Sequence, residues 1–134
     1  MDNRPVGIFD SGFGGLTALK ALREMMPDEN IIYFGDNGRA PYGGRGAEQL
    51  KAMARQDIAF VSGLGVKAMI VACGTLSSAA ADVLEECSLP LSGAPNASVN
   101  VLRAARRLLP SRYNRDRSEY KKRCFQSRAA RCLS

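Results

Sequence analysis

Short apolar runs alternate with stretches whose apolar residues recur every three or four positions, and the alternation repeats four times between Pro5 and Leu109. Pro5 to Phe9 (PVGIF) reads as a buried-type strand. The glycine-rich turn Asp10-Ser11-Gly12-Phe13-Gly14-Gly15 follows it, and then a helix with Leu16, Leu19, Leu22 and Met26 on one face, closed by Pro27-Asp28. Asn30 to Gly35 (NIIYFG) is a second strand. The polar, glycine-rich stretch Asp36 to Arg45 after it is long for a surface connection. A second helix shows Leu50, Met53, Ala54, Ile58 and Val61 at helical spacing. Lys67 to Ala72 is a third strand, and Leu76 to Glu86, Ala-rich and without a breaker, is expected as one helix ending near a structural Cys87. Leu89 to Ala94 reads as a short fourth strand, and Ser98 to Leu109 as a helix packing through Val101, Leu102, Ala105 and Leu108. The order βαβαβαβα predicts a parallel sheet with helices on both faces and right-handed crossovers.

In such sheets ligands bind beyond the carboxyl ends of the strands, so the three post-strand segments carry the candidate chemistry. The first can place backbone N–H groups around a phosphate or a carboxylate. It is neither G-x-G-x-x-G nor a P-loop, and Asp10 beside it suits an ammonium-bearing ligand better than a polyphosphate. The third, Val71-Ala72-Cys73-Gly74-Thr75, puts a thiol at a strand-to-helix junction. There the free N–H groups and the positive end of the following helix favour a thiolate, a better base and nucleophile. From this stretch alone the plainer reading of Cys73, a small buried residue like most free cysteines, leads narrowly.

Composition narrows the classes. The 134 residues are 46% apolar, which fits one globular domain. No apolar run approaches membrane-spanning length and the N-terminus shows no signal pattern, so a cytoplasmic protein is expected. There is no histidine, and Cys73, Cys87, Cys124 and Cys132 show no C-x-x-C spacing, so neither a zinc site nor a disulfide framework is supported. The net charge of +6 divides unevenly: residues 1–100 carry 8 basic and 11 acidic side chains, residues 101–134 carry 11 and 2. The basicity belongs to the tail, which is expected to be a solvated end rather than a nucleic-acid arm.

FDSGFGGL at 9–16, YFGDNGRAPYG at 33–43 and VACGT at 71–75, in that order and spacing, resemble the first domain of glutamate racemase, within the cofactor-independent aspartate/glutamate racemase superfamily. The resemblance runs from about Pro5 to Pro95 and implies a flavodoxin-like α/β domain of about four parallel strands, with no pyridoxal phosphate or metal. It implies that Cys73 is one of two cysteines that exchange the α-proton of glutamate, assisted by Asp10. It also implies that Asp10, Ser11, Tyr42, Gly43, Gly74 and Thr75 lie along the substrate. A weakly acidic α-hydrogen needs a base held against the carbon and donors for the carboxylate charge, and racemisation needs such a group on each face. The implied role is supply of D-glutamate for peptidoglycan, in the cytoplasm, with glutamate as small-molecule partner, no nucleic acid or membrane partner, and a homodimer in the full-length family.

Two departures from the family pattern stand out. Gly74 occupies a position where the family usually has asparagine, and the second domain with the second cysteine has no counterpart in this sequence. Residues 1–110 are therefore expected as the racemase-like domain and residues 111–134 as a disordered or out-of-frame basic tail. Shifting Asn114 to Arg128 by one nucleotide permits IGIVANTKSGAFKAA, which resembles the opening of the family's second domain. With one thiol, little or no racemisation is expected of this chain. An aspartate racemase-like sister enzyme and a catalytically inactive remnant stay open as alternatives.

Overall fold

The computed structural model describes residues 2–93. The helix expected over 98–109 and the basic tail from 111 lie outside the described residues. In chain order the elements are β1 (Val6–Asp10), α1 (Leu16–Met25), β2 (Ile31–Gly35), a single 3-10 turn (Asn37–Arg39), α2 (Ala47–Gly63), β3 (Ala68–Val71), α3 (Gly74–Ala79), α4 (Ala81–Glu85) and β4 (Leu91–Gly93). The strands pair in parallel in the order β2-β1-β3-β4, the order that begins a flavodoxin-like sheet. Three strands of four or five residues form its body, and the three-residue β4 lies at the edge beside β3.

The two central strands read as continuous apolar runs because both of their faces are covered. Alternate side chains point to opposite sides. Val6, Ile8, Ile70 and Ala72 pack with Ala18, Leu22, Met25 and Met26 on the α1 side. Phe9, Met69 and Val71 pack on the other side with Leu50, Met53, Ala54 and Val61 of α2, and with Leu76, Val83 and Leu84 beyond them. Every residue of β1 and β3 is buried, whereas β2, at the sheet edge, is half-buried throughout.

The single helix expected over 76–86 is instead two. At Ala80 the backbone leaves the helical region (φ −127°, ψ 30°), although the Ala80 N–H donates to the Leu76 carbonyl and the Ala80 carbonyl accepts from the Leu84 N–H. Nothing in the sequence breaks the helix there. The bend goes with complete burial of Leu76 and Ala80 and near-complete burial of Val83, all in the cluster under α2, so packing overrides a helix propensity that is only a weak prior.

At the carboxyl ends the pairing continues past the strands: the Ala72 N–H donates to the Phe9 carbonyl (2.8 Å) and the Asp36 N–H to the Asp10 carbonyl (2.9 Å). The turn after β1 is drawn tightly over this end. Gly15 packs so closely that a Cβ there would stand 2.8 Å from Asp10 Cβ and 2.9 Å from Ala72 Cβ.

Two stability measurements follow. Leu22→Ala, emptying the centre of the α1 face, is expected to cost about 2–5 kcal/mol in urea denaturation. Gly15→Ala is expected to cost about 1–3 kcal/mol, since both clashing atoms are fixed to backbone and the loop itself must shift. A Gly15→Ala chain as stable as wild type would show that the turn is not packed against Ala72.

Candidate active site

Three connections meet beyond the sheet's carboxyl edge. They line an open depression of about 570 Å³ formed by Asp10 at the end of β1 with Ser11, Gly12, Phe13 and Gly14 after it, by Ala40, Pro41, Tyr42 and Gly43 after β2, and by Ala72, Cys73, Gly74 and Thr75 after β3. All seven residues singled out in the sequence for this chemistry, Asp10, Ser11, Tyr42, Gly43, Cys73, Gly74 and Thr75, are among them.

Cys73 is the N-cap of α3, with extended backbone (φ −78°, ψ 112°), and its carbonyl accepts the N–H of Ser77. The sequence placed it at a strand-to-helix junction, and it is there. Its side chain is only 3% exposed and joins the α2-side core, while the thiol donates to Ser11 Oγ at 3.5 Å. The buried reading and the site reading of Cys73 thus describe one geometry: a mostly enclosed thiol at the floor of a depression.

Asp10, the last residue of β1, is nearly buried, and its Oδ2 accepts the Gly15 N–H at 2.8 Å. A carboxylate at this point satisfies an N–H that the first turn of α1 leaves unpaired and complements the helix dipole. Tyr33, from β2, braces the same turn by donating its hydroxyl to the Gly12 carbonyl at 2.6 Å. Burial, with the neighbouring Asp10 charge adding to it, pushes that hydroxyl up to about 12, so it remains a donor throughout the physiological range.

Tyr42 is placed differently from what a substrate-facing phenol would require. Its ring is buried, and its hydroxyl oxygen lies within hydrogen-bond reach of the carboxyls of both Asp36 and Asp57. Arg39 completes this cluster, donating through Nε to Asp36 Oδ2 and through Nη2 to Asp57 Oδ1, each at 2.5 Å, and through Nη1 to Gln56 Oε1. Gly44 takes φ +84°, which glycine adopts without steric cost, and Arg45 then reaches back to the carbonyls of Pro41 (3.0 Å) and Arg39 (2.7 Å). The long 36–45 connection is therefore a structured wall. Sequence reasoning missed Asp36, Arg39 and Asp57 as its fasteners. The available signal was Asp57 itself, a charged residue on the buried stripe of α2 between Ala54 and Val61.

Among the described residues the other thiol, Cys87, is half-buried and lines a separate hollow of about 420 Å³ beside α4 and β4. No three potential ligands cluster as a metal site, and no helix is long and apolar enough to cross a membrane, among these residues.

Over 105 residues the chain is 45% identical to the glutamate racemase of Thermus thermophilus, a match that covers 78% of this chain and 41% of that protein. It is 53% identical over 75 residues to the glutamate racemase of Thermoanaerobacter pseudethanolicus, covering 56% of this chain and 28% of the relative. The crystal structure of the Thermus thermophilus enzyme in complex with β-chloro-D-alanine matches with a TM-score of 0.65 at 49% identity, over 68% of this chain and 36% of that one. That of the Francisella tularensis glutamate racemase in complex with D-glutamate matches with a TM-score of 0.66 at 36% identity, over 81% and 48%. The chain spans less than half the length of these relatives, and no protein-family model matches it. In sequence and in fold the chain is a partial, N-terminal match to the glutamate racemases.

Proposed function

We propose that the depression is the first-thiol half of a cofactor-independent glutamate racemase site, in which Cys73 exchanges a proton with the α-carbon of glutamate. The observation that carries the reading is the convergence of a thiol, a carboxylate and a hydroxyl, Cys73, Asp10 and Ser11, in one open depression at the carboxyl ends of β1 and β3. Likeness to enzymes named as glutamate racemases supports it.

In this reading the Cys73 thiolate removes the α-hydrogen as a proton, and the developing negative charge spreads into the adjacent carboxylate. Hydroxyls of Ser11 and Thr75 and backbone N–H groups of the loops, Gly43 and Gly74 among them, hold the substrate carboxylates, a preorganised set of donors of the kind that stabilises such charge. Asp10 faces the ammonium or assists the thiol. Tyr42 contributes through the wall it anchors rather than through its hydroxyl. Gly74 offers only backbone, so no side-chain amide contacts substrate there, which bears on substrate preference. One thiol reaches one face of the α-carbon. The described residues are therefore assigned single-face proton exchange, and full racemisation is assigned to a site that supplies a second thiol. Action in the cytoplasm, supply of D-glutamate for peptidoglycan and a homodimeric full-length form belong to the same proposal and rest on the family likeness.

The test is deuterium incorporation at the α-carbon when the chain is incubated in D2O with L- or D-glutamate. Exchange of one enantiomer without formation of the other is expected, and Cys73→Ala is expected to reduce it by about 10²–10⁴-fold, the usual contribution of a positioned acid–base group. Exchange undiminished in Cys73→Ala would overturn the assignment. Aspartate, one methylene shorter, is expected to exchange more slowly than glutamate, and the reverse order would favour the aspartate-directed sister reading.

A further inference from the structure

The buried cluster between α2 and the 36–45 wall holds more acceptors than its visible protons can serve. The Tyr42 oxygen lies within hydrogen-bond reach of Oδ2 of both Asp36 and Asp57, at 2.9 Å from the latter. A phenol has one proton to donate, and an ionised carboxylate can only accept. A proton on a carboxyl satisfies the second contact. Charge leads to the same conclusion. Among the described residues Arg39 is the one cation bonded to the pair, its remaining terminal nitrogen is taken by neutral Gln56, and Asp57 is 1% exposed. A second buried negative charge would be uncompensated, which is strongly unfavourable. Burial pushes the Asp57 carboxyl up, against the opposing pull of the Tyr42 and Arg39 contacts.

The cluster is built into the site's own wall. Tyr42 belongs both to the lining of the depression and to the packed cluster that contains Cys73, and its neighbours Ala40, Pro41 and Gly43 line the same depression. Asp57 comes from a different element, α2, and reaches the lining through its contact with Tyr42.

We propose that Asp57 is a positioning residue for the thiol site: a proton held on its carboxyl toward the Tyr42 hydroxyl, which itself donates to Asp36, fastens the Ala40–Gly43 wall to α2 and keeps Cys73 enclosed. This rests on the reading of the depression as an acid–base site, but its consequence is physical and needs no turnover to be seen. Loss of that proton adds a negative charge to a buried cluster that one guanidinium serves, and the wall loosens. The sign follows from linkage. A carboxyl whose value in the fold is raised above its ordinary 3.8 contributes stability that is complete below that value and lost as pH climbs through the raised one.

The experiment is alkylation of Cys73 by iodoacetamide in the full 134-residue chain, followed peptide by peptide by mass spectrometry so that Cys73 is resolved from the other cysteines. Because Cys73 is 3% exposed, its rate reports opening of the site. Asp57→Ala is expected to raise the rate by about tenfold, the ratio expected from losing one hydrogen bond to a charged group. Asp57→Asn keeps a permanent N–H toward Tyr42 and an acceptor toward Arg39. It is expected to follow wild type at acid pH and to lack the additional rise that wild type shows, beyond ionisation of the thiol, as pH climbs. A folded Asp57→Ala chain with the wild-type rate would overturn the proposal. If that variant does not fold, coincidence of wild type and Asp57→Asn at every pH would overturn it. Glutamate exchange in the same samples separates the two layers: the predicted alkylation pattern without exchange keeps the positioning role and sinks the proposed chemistry, and exchange with an unchanged alkylation pattern does the reverse.

Discussion

Parallel pairing of β1 with both of its neighbours is the constraint from which the site follows. Phe9 stands opposite Phe34 of β2 and opposite Val71 of β3, so the three chains leave the sheet at the same level. The bonds from Ala72 and Asp36 back to the carbonyls of Phe9 and Asp10 carry that alignment into the loops. A slip of one residue would turn every side chain of a strand to the opposite face, exchanging the α1 and α2 cores and moving Cys73 out of line with Ser11. Burial of β1 and β3 on both faces makes such a slip costly, and the same burial fixes the relative positions of the thiol, the carboxylate and the hydroxyl.

What the sheet aligns, buried polar groups then hold. The turn after β1 is secured from within by Asp10 accepting from Gly15 and from the side by the Tyr33 hydroxyl. The connection after β2, too long to be rigid by brevity alone, is pinned by Asp36, Arg39, Tyr42 and Asp57. Burying so many polar groups is unfavourable unless each has a partner, and here the partners lie on different elements, so satisfying them fixes the loops. The opposite end of the sheet repeats the device away from any lining residue: Lys67 pairs with Glu29 at 2.6 Å, both nearly buried, and there it joins β3 to the segment before β2.

The strand and helix pattern of residues 5–93 was legible because apolar periodicity is set by which faces are covered, and that survives in a single sequence. The three loops were legible because a thiol, a glycine-rich turn and an acidic residue fell after strands. Two features were not. The bend at Ala80 depends on how Leu76, Ala80 and Val83 fit beneath α2, which no local propensity encodes. The direction of the Tyr42 hydroxyl depends on Asp57, fifteen positions away; a tyrosine in a glycine-rich loop reads as surface-facing until a buried acceptor is placed behind it.

The three loops are proposed to form one binding site for a small amino acid that bears two carboxylates. Amide-resolved NMR titration of the full chain with D- and L-glutamate tests this. Saturable shifts confined to residues 10–15, 40–43 and 72–75 are the predicted result. Shifts centred on the hollow between α4 and β4, or none at all while the chain remains folded, would contradict it.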